Sequence, residues 1–287
     1  MKNSIGKICA ALAMVLAAAP ALTAESLKTM NLGGATGLYT IPSGQVSWQE
    51  KSLGLNAGSQ FTGCDRYGKF KAAHNIGVNL GFLKWLEAGA AIDFQPDYWT
   101  ADSGNNNDLL LGAKIQLPLK NTSYPAVAIG GNIQFLNMGG ENVSYQNEYG
   151  STGQVYAAIT YTAAFFGAPV ETTAVLGKTF VMDTTARIGK SNSNIDFGMG
   201  LDVTLFPKVL QDYVHWTAEY ANFSYSHDPL GTDPWWRGEM TTGIRLDLSQ
   251  IPALNKFTFT LDIMGTDVLD HKERGFSLGL VFGVPVL

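Results

Sequence analysis

The stretch Asn194-Ile-Asp-Phe-Gly-Met-Gly-Leu-Asp-Val-Thr-Leu-Phe206 alternates without a break. Ile195, Phe197, Met199, Leu201, Val203 and Leu205 take the odd positions, and Asp196, Gly198, Gly200, Asp202 and Thr204 the even ones. Successive side chains on a strand point to opposite faces, so this is a strand with one apolar and one polar face. In a soluble sandwich the polar face would meet water and the apolar face a core. In a membrane barrel the apolar face meets lipid, and glycines and aspartates line a polar lumen. The length leans toward the barrel, because about 9–11 residues cross a bilayer at a tilt whereas soluble strands average nearer five or six.

The start of the chain points to export. Residues 1–24 carry Lys2 and Lys7, an apolar run over 8–19 and small residues before position 24, the pattern of a cleaved signal peptide. Cleavage is expected after Ala24, with Ala21 as the alternative. The apolar run is too short for a membrane anchor. Its removal leaves one cysteine, Cys64, so a disulfide framework within the chain is excluded. Loss of Lys2 and Lys7 leaves 17 bases against 24 acids, a net charge of about −7. A basic face for nucleic acid is therefore not expected. No later apolar run approaches the length of a membrane helix, while a barrel hides its lipid face in alternate residues.

Twelve strands follow the same alternation. They are expected near 51–61, 70–82, 85–95, 108–117, 125–135, 153–165, 170–180, 194–206, 214–225, 238–248, 257–263 and 274–286. The connections alternate in length. Those at 83–84, 118–124, 167–169, 207–213 and 249–256 are compact, and those at 96–107, 136–152, 181–193 and 226–237 are longer and more polar. Short turns on one side and longer loops on the other are the outer-membrane pattern, and an even count brings both termini to one side. A soluble β-sandwich, the competing class, has no reason to sort its connections this way. Outward aromatics also gather at strand ends: Phe61, Phe94, Phe135, Phe180, Phe197 and Phe276 at one rim, Phe82, Phe165, Phe206, Trp216 and Phe257 at the other. Such belts suit the two headgroup layers. The predicted fold is an all-β transmembrane antiparallel β-barrel of about twelve strands over 51–287, in the bacterial outer membrane. The last strand, Phe276 to Leu287, ends where barrel-assembly machinery reads a closing strand, so that machinery and outer-membrane lipid are the expected partners.

The opening Gly33-Gly-Ala-Thr-Gly-Leu-Tyr-Thr-Ile-Pro-Ser-Gly44, followed by Leu53-Gly-Leu-Asn-Ala-Gly58, resembles the start of YjbH-like outer-membrane proteins. The segments Arg237–Leu246 and Arg274–Phe282 are similar as well. The resemblance implies a barrel with a link to envelope or exported polysaccharide, and no established chemistry.

The residues themselves offer little catalytic chemistry. An outer-wall hydrolase needs a serine within hydrogen-bond reach of a histidine. His74, His215, His227 and His271 show no His-x-Ser pairing along a strand, and His215-x-Thr217 reads as a polar lumen contact. No enzyme, metal site or cofactor is expected. The inward parity says more: Glu87, Asp93, Asp196, Asp202, Glu219, Asp247 and Asp262 face in, against Lys114 and Arg245. Glu87 and Lys114 fall opposite each other, and Asp202, Glu219, Arg245 and Asp262 are expected at similar heights on consecutive strands. Two readings stand: a cation-favouring passage, since an acidic ring concentrates cations, or a salt-bridged barrel with a plugged lumen that serves structure or surface binding. The Gly-rich segment 25–50 has the length to fold back inside, with Gly33, Gly34, Gly37 and Gly44 permitting tight turns. In the outer loops Tyr98, Trp99, Trp235 and Trp236 are candidates for stacking on a sugar ring or for interfacial anchoring. The function expected is a small channel or envelope-transport accessory for a small solute or saccharide.

Overall fold

The computed structural model describes residues 29–66, 69–96, 105–119, 125–135, 151–182, 195–225, 238–269 and 274–287. The expected signal peptide, the loop aromatics Tyr98, Trp99, Trp235 and Trp236, and His227 and His271 lie outside them. Twelve antiparallel strands close into one barrel in chain order. They are β1 (Leu53–Arg66), β2 (Lys69–Phe82), β3 (Leu86–Pro96), β4 (Asn105–Gln116), β5 (Ala126–Phe135) and β6 (Ser151–Phe165). The second half is β7 (Ala168–Val181), β8 (Asp196–Thr204), β9 (Val214–Ala221), β10 (Glu239–Asp247), β11 (Thr258–Thr266) and β12 (Gly275–Pro285). Closure is made by β1 on β12, in register from Gly54↔Pro285 to Cys64↔Gly275. Every strand then has two partners, and no unpaired edge is left to aggregate.

Alternation in the sequence becomes alternation of burial. Along β12, Ser277, Gly279, Val281 and Gly283 are buried while Phe276, Leu278, Leu280 and Phe282 are exposed. The same holds around the wall, where Leu55, Ile76, Val78, Leu111, Ile129, Ile159, Leu176 and Ile263 form an exposed apolar band. Phe94, Phe135, Phe180, Phe197 and Phe276 are exposed toward one rim, and Phe165, Phe206, Trp216 and Phe257 toward the other; Phe61 and Phe82 are half-buried.

Two boundaries differ from expectation in an informative way. β9 ends at Ala221, so the strand expected to reach position 225 stops early. Asn222 to Tyr225 turn inward instead, with Phe223 and Tyr225 buried edge-to-face at 5.6 Å. β8 stops at Thr204, because Phe206 adopts φ 50° and Pro207 starts the one-turn helix α1 (Pro207–Leu210). Proline suits a first helical position since it has no N–H to leave unpaired.

The barrel is filled by its own N-terminal segment. Residues 29–47 are buried almost throughout. They fold on themselves through the bridges Met30↔Thr36 and Gly37↔Pro42 and the bonds Leu32 N–H to Tyr39 O and Ser43 N–H to Thr36 O, both 2.9 Å. Leu32, Leu38 and Ile41 meet Tyr156, Val175 and Phe223 in the apolar core, which therefore lies inside the barrel. The wall supplies sockets where side chains are missing. A Cβ on Gly198 would strike Ile41, one on Gly200 would strike Leu38, and one on Gly89 would strike the backbone of Gly34.

Candidate functional site: the occupied lumen

Three charged wall residues hold the segment by its backbone. Glu87 and Lys114 face each other in register on β3 and β4, 3.3 Å apart. Glu87 accepts the Thr36 N–H at 2.7 Å, the Thr36 hydroxyl at 2.6 Å and the Ser47 N–H at 2.8 Å. Lys114 donates to the Thr36 carbonyl at 2.9 Å and the Ser43 carbonyl at 3.2 Å. A buried ion pair costs desolvation, and it is tolerated here because the remaining lone pairs and protons are also used. Glu219 on β9 gathers three consecutive amides, from Tyr39 at 3.1 Å, Thr40 at 2.7 Å and Ile41 at 3.3 Å. The turn 39–41 is thus an anion nest whose anion is a wall carboxylate.

Neutral groups complete the seal. Asn75 and Asn79 each donate at 3.0 Å to the carbonyls of Leu32 and Gly34. Gly44 N–H donates to Thr160 Oγ1 at 2.8 Å, Val46 N–H to Gln116 Oε1 at 2.9 Å, and Gln45 Nε2 to Glu171 at 3.2 Å. Burial pushes the Tyr39 phenol above its ordinary pKa, so it stays a neutral partner of Thr62 at 2.9 Å. A space beside Lys114, Asn132, Tyr156 and Tyr225 has room for about one water.

A second cluster lies nearer the end that carries the short turns. Arg245 clamps Asp262 through Nε at 2.8 Å and Nη2 at 3.0 Å, and reaches Asp202 through Nη1 at 2.9 Å. His215 Nδ1 sits 2.7 Å from Asp202, and its Nε2 3.0 Å from the Asp212 carbonyl. This corrects the expected common height of Asp202, Glu219, Arg245 and Asp262. In register Glu219 faces Gly200 and Thr241, while Arg245 faces His215 and Asp262. Counting from strand ends misjudged the stagger, because β8 ends two residues before Phe206. Glu219 therefore serves the segment, and Asp202 serves the ion cluster.

The other inward candidates are placed as follows. Asp196 accepts from Gln154 at 2.7 Å and Thr179 at 2.6 Å. Asp247 caps the 3-10 turn Leu248–Gln250 by accepting the Ser249 N–H at 2.9 Å. Asp93 is buried opposite Asp108. Sequence reading omitted Asp108 and Glu171, although the inward parity of Lys114 and Thr173 on their own strands would have found both. It also missed a pair on the outer wall: Ser59 Oγ and His74 Nε2 are 2.7 Å apart across β1 and β2. A pattern along a single strand carries no sign of a cross-strand contact. No third group orients the other nitrogen of His74 among the described residues, and the strand N–H groups beside it are used in the ladder.

No family model and no curated protein matches the chain. Among solved structures it is similar to the translocator domain of the autotransporter NalP from Neisseria meningitidis, at 11% identity and TM-score 0.46, covering 82% of this chain and 88% of that one. It is also similar to the KdgM porin solved with disordered oligogalacturonate, at 7% identity and TM-score 0.43, covering 80% and 98%. Outer membrane protein Omp33 of Acinetobacter baumannii is similar at 9% identity and TM-score 0.38, covering 82% and 98%. The likeness is one of barrel architecture alone.

Proposed function

We propose that the chain is a bacterial outer-membrane barrel of the channel and envelope-transport class whose passage is closed at rest by its own segment 29–47. The observation that carries this reading is the hold of Glu87, Lys114 and Glu219 on the backbone of that segment. A backbone grip of this kind closes the passage without a covalent tie, so the segment can leave and return. The exposed apolar band supports the membrane setting, and the resemblance of 33–44 and 53–58 to YjbH-like proteins supports a link to envelope polysaccharide. The reading is non-enzymatic: among the described residues the Ser59–His74 pair has no third group on the other ring nitrogen, where a hydrolytic site needs one.

Conductance across a planar bilayer tests it. The wild-type barrel should be nearly silent. Glu87→Gln with Glu219→Gln keeps the volume and removes two charged acceptors, each bond to a charged group being worth about 1.5–3 kcal/mol. Openings should then appear, and deletion of 29–47 should make them permanent. A freely conducting wild type would mean that the segment does not close the lumen. Silence of the deletion variant, folded by a heat-modifiability gel, would leave a structural barrel.

A further inference from the structure

The segment that fills the lumen is rooted at the seam that closes the wall. β1 and β12 are the first and last strands, and their pairing turns a sheet into a barrel. At the short-turn end of this seam the inner face is bare. Gly54 on β1 faces Gly81 on β2 in register, and Gly283 follows on β12 beside Asn56. Glycine in a strand gives its neighbours no side chain to pack against.

Ser47 and Trp48 supply what these strands lack. A Cβ on Gly54 would strike the Trp48 indole, one on Gly283 would press on it, and one on Gly81 would strike Ser47. Trp48 Nε1 donates to Asn56 Oδ1 at 3.0 Å, Ser47 Oγ to Asn79 Oδ1 at 2.5 Å, and Ser47 N–H to Glu87 at 2.8 Å. The two residues thus touch β12, β1, β2 and β3 together. Trp48 takes this place at φ 57°, a conformation that a bulky residue holds only where its surroundings impose it. The last rungs of the seam lie just beyond. Ser52 N–H and Leu53 N–H donate to the Leu287 carbonyl at 3.1 and 3.3 Å, and Val286 N–H donates to the Leu53 carbonyl at 2.9 Å.

Resting on the closure reading above, we propose that Trp48 is a key that makes closing the lumen and closing the wall one event. With the segment in place, the indole packs the bare glycines and the seam is shut to its end. When the segment withdraws, Ser47 and Trp48 leave with it, and the short-turn end of β1 and β12 loosens. Coupling between two sites is reciprocal, so an intact seam in turn holds the segment.

Hydrogen exchange of the full barrel in detergent micelles, read by mass spectrometry over 29–47, 53–58, 281–287 and 168–181, tests this. Trp48→Ala should raise exchange at 53–58 and 281–287 by about tenfold or more and leave 168–181 unchanged. Trp48→Phe keeps a ring over the glycines and should give a smaller rise at the same places. The deciding variant is Glu87→Gln with Glu219→Gln, which alters neither β1 nor β12. It should speed exchange at 29–47 and, with it, at the seam. Faster exchange at 29–47 beside an unchanged seam would overturn the coupling, and so would an unchanged seam in the Trp48 variants that fold. Unchanged exchange at 29–47 would overturn the closure reading instead, and the Trp48 variants would then decide the key by themselves.

Discussion

The side chain of Ile41 occupies the space that Gly198 leaves empty on the inner face of β8. The contact joins the stretch from which the fold is read to the segment that closes the lumen. A glycine on the polar face of a strand is ordinarily a weak point, having no side chain to pack. Here it is a socket. Gly200 plays the same part for Leu38, one inward position along.

Gly198→Leu should therefore expel the segment without unmaking the barrel. Overpacking of this kind costs about 1–3 kcal/mol, and the segment is held by contacts that can yield. Ile41 is fully buried, so a cysteine placed there should resist a water-soluble thiol reagent in the parent barrel and react in the Gly198→Leu background. The barrel band should remain heat-modifiable in both. Equal resistance would show that the segment stays put.

The ion cluster around Arg245 predicts a different response. Arg245→Met leaves the buried Asp262 carboxylate without its cation and Asp202 with His215 alone, a loss of about 3–5 kcal/mol. Changing all three together, as Asp202→Asn, Arg245→Met and Asp262→Asn, should recover most of that loss. Urea midpoints of the refolded barrels decide this, and a triple variant no better than the single would mean the pair contributes more than mutual compensation.

Leu201 and Asp202 are neighbours on opposite faces of β8. Leu201→Arg sets a cation on the band facing outward, at a cost of about 2–4 kcal/mol at a bilayer midplane. Asp202→Asn keeps the volume inside and should fold, somewhat weakened because Arg245 retains Asp262. Assembly into vesicles, followed by gel shift, should separate the two. Identical behaviour would contradict the membrane setting.

Parity was legible in the sequence, and height was not. A period of two assigns each side chain to a face, which places Glu87, Lys114, Asp202, Arg245 and Asp262 inward. The stagger between neighbouring strands depends on where each one stops, and Phe206 and Asn222 stop theirs by turns that alternation does not reveal. For the same reason alternation alone sets Glu219 level with Arg245 and does not reveal the Ser59–His74 pair. The role of Gly198 and Gly200 was hidden because a missing side chain carries no partner in a one-dimensional reading. The segment 25–50 showed its glycines and its length. The three amides it offers Glu219 are backbone, and backbone groups carry no sequence signal.

The charge selectivity of the opened lumen is a hypothesis that the bonding pattern sharpens. With residues 29–47 gone, Glu87 keeps Lys114, and Asp202 and Asp262 keep Arg245. Glu219 loses all three of its amide donors, and Glu171 loses Gln45. Those two carboxylates, rather than Asp202, then face the passage bare. The deletion variant should favour cations, with a preference that fades as salt shortens the screening length below about 10 Å above 0.1 M. Glu171→Gln with Glu219→Gln in that background should move the reversal potential under a salt gradient toward zero. Lys114→Gln should move it the other way by freeing Glu87. An unchanged potential in the Glu171 and Glu219 pair would place the selective constriction elsewhere on the wall, and an anion preference in the deletion variant would overturn the acidic passage altogether.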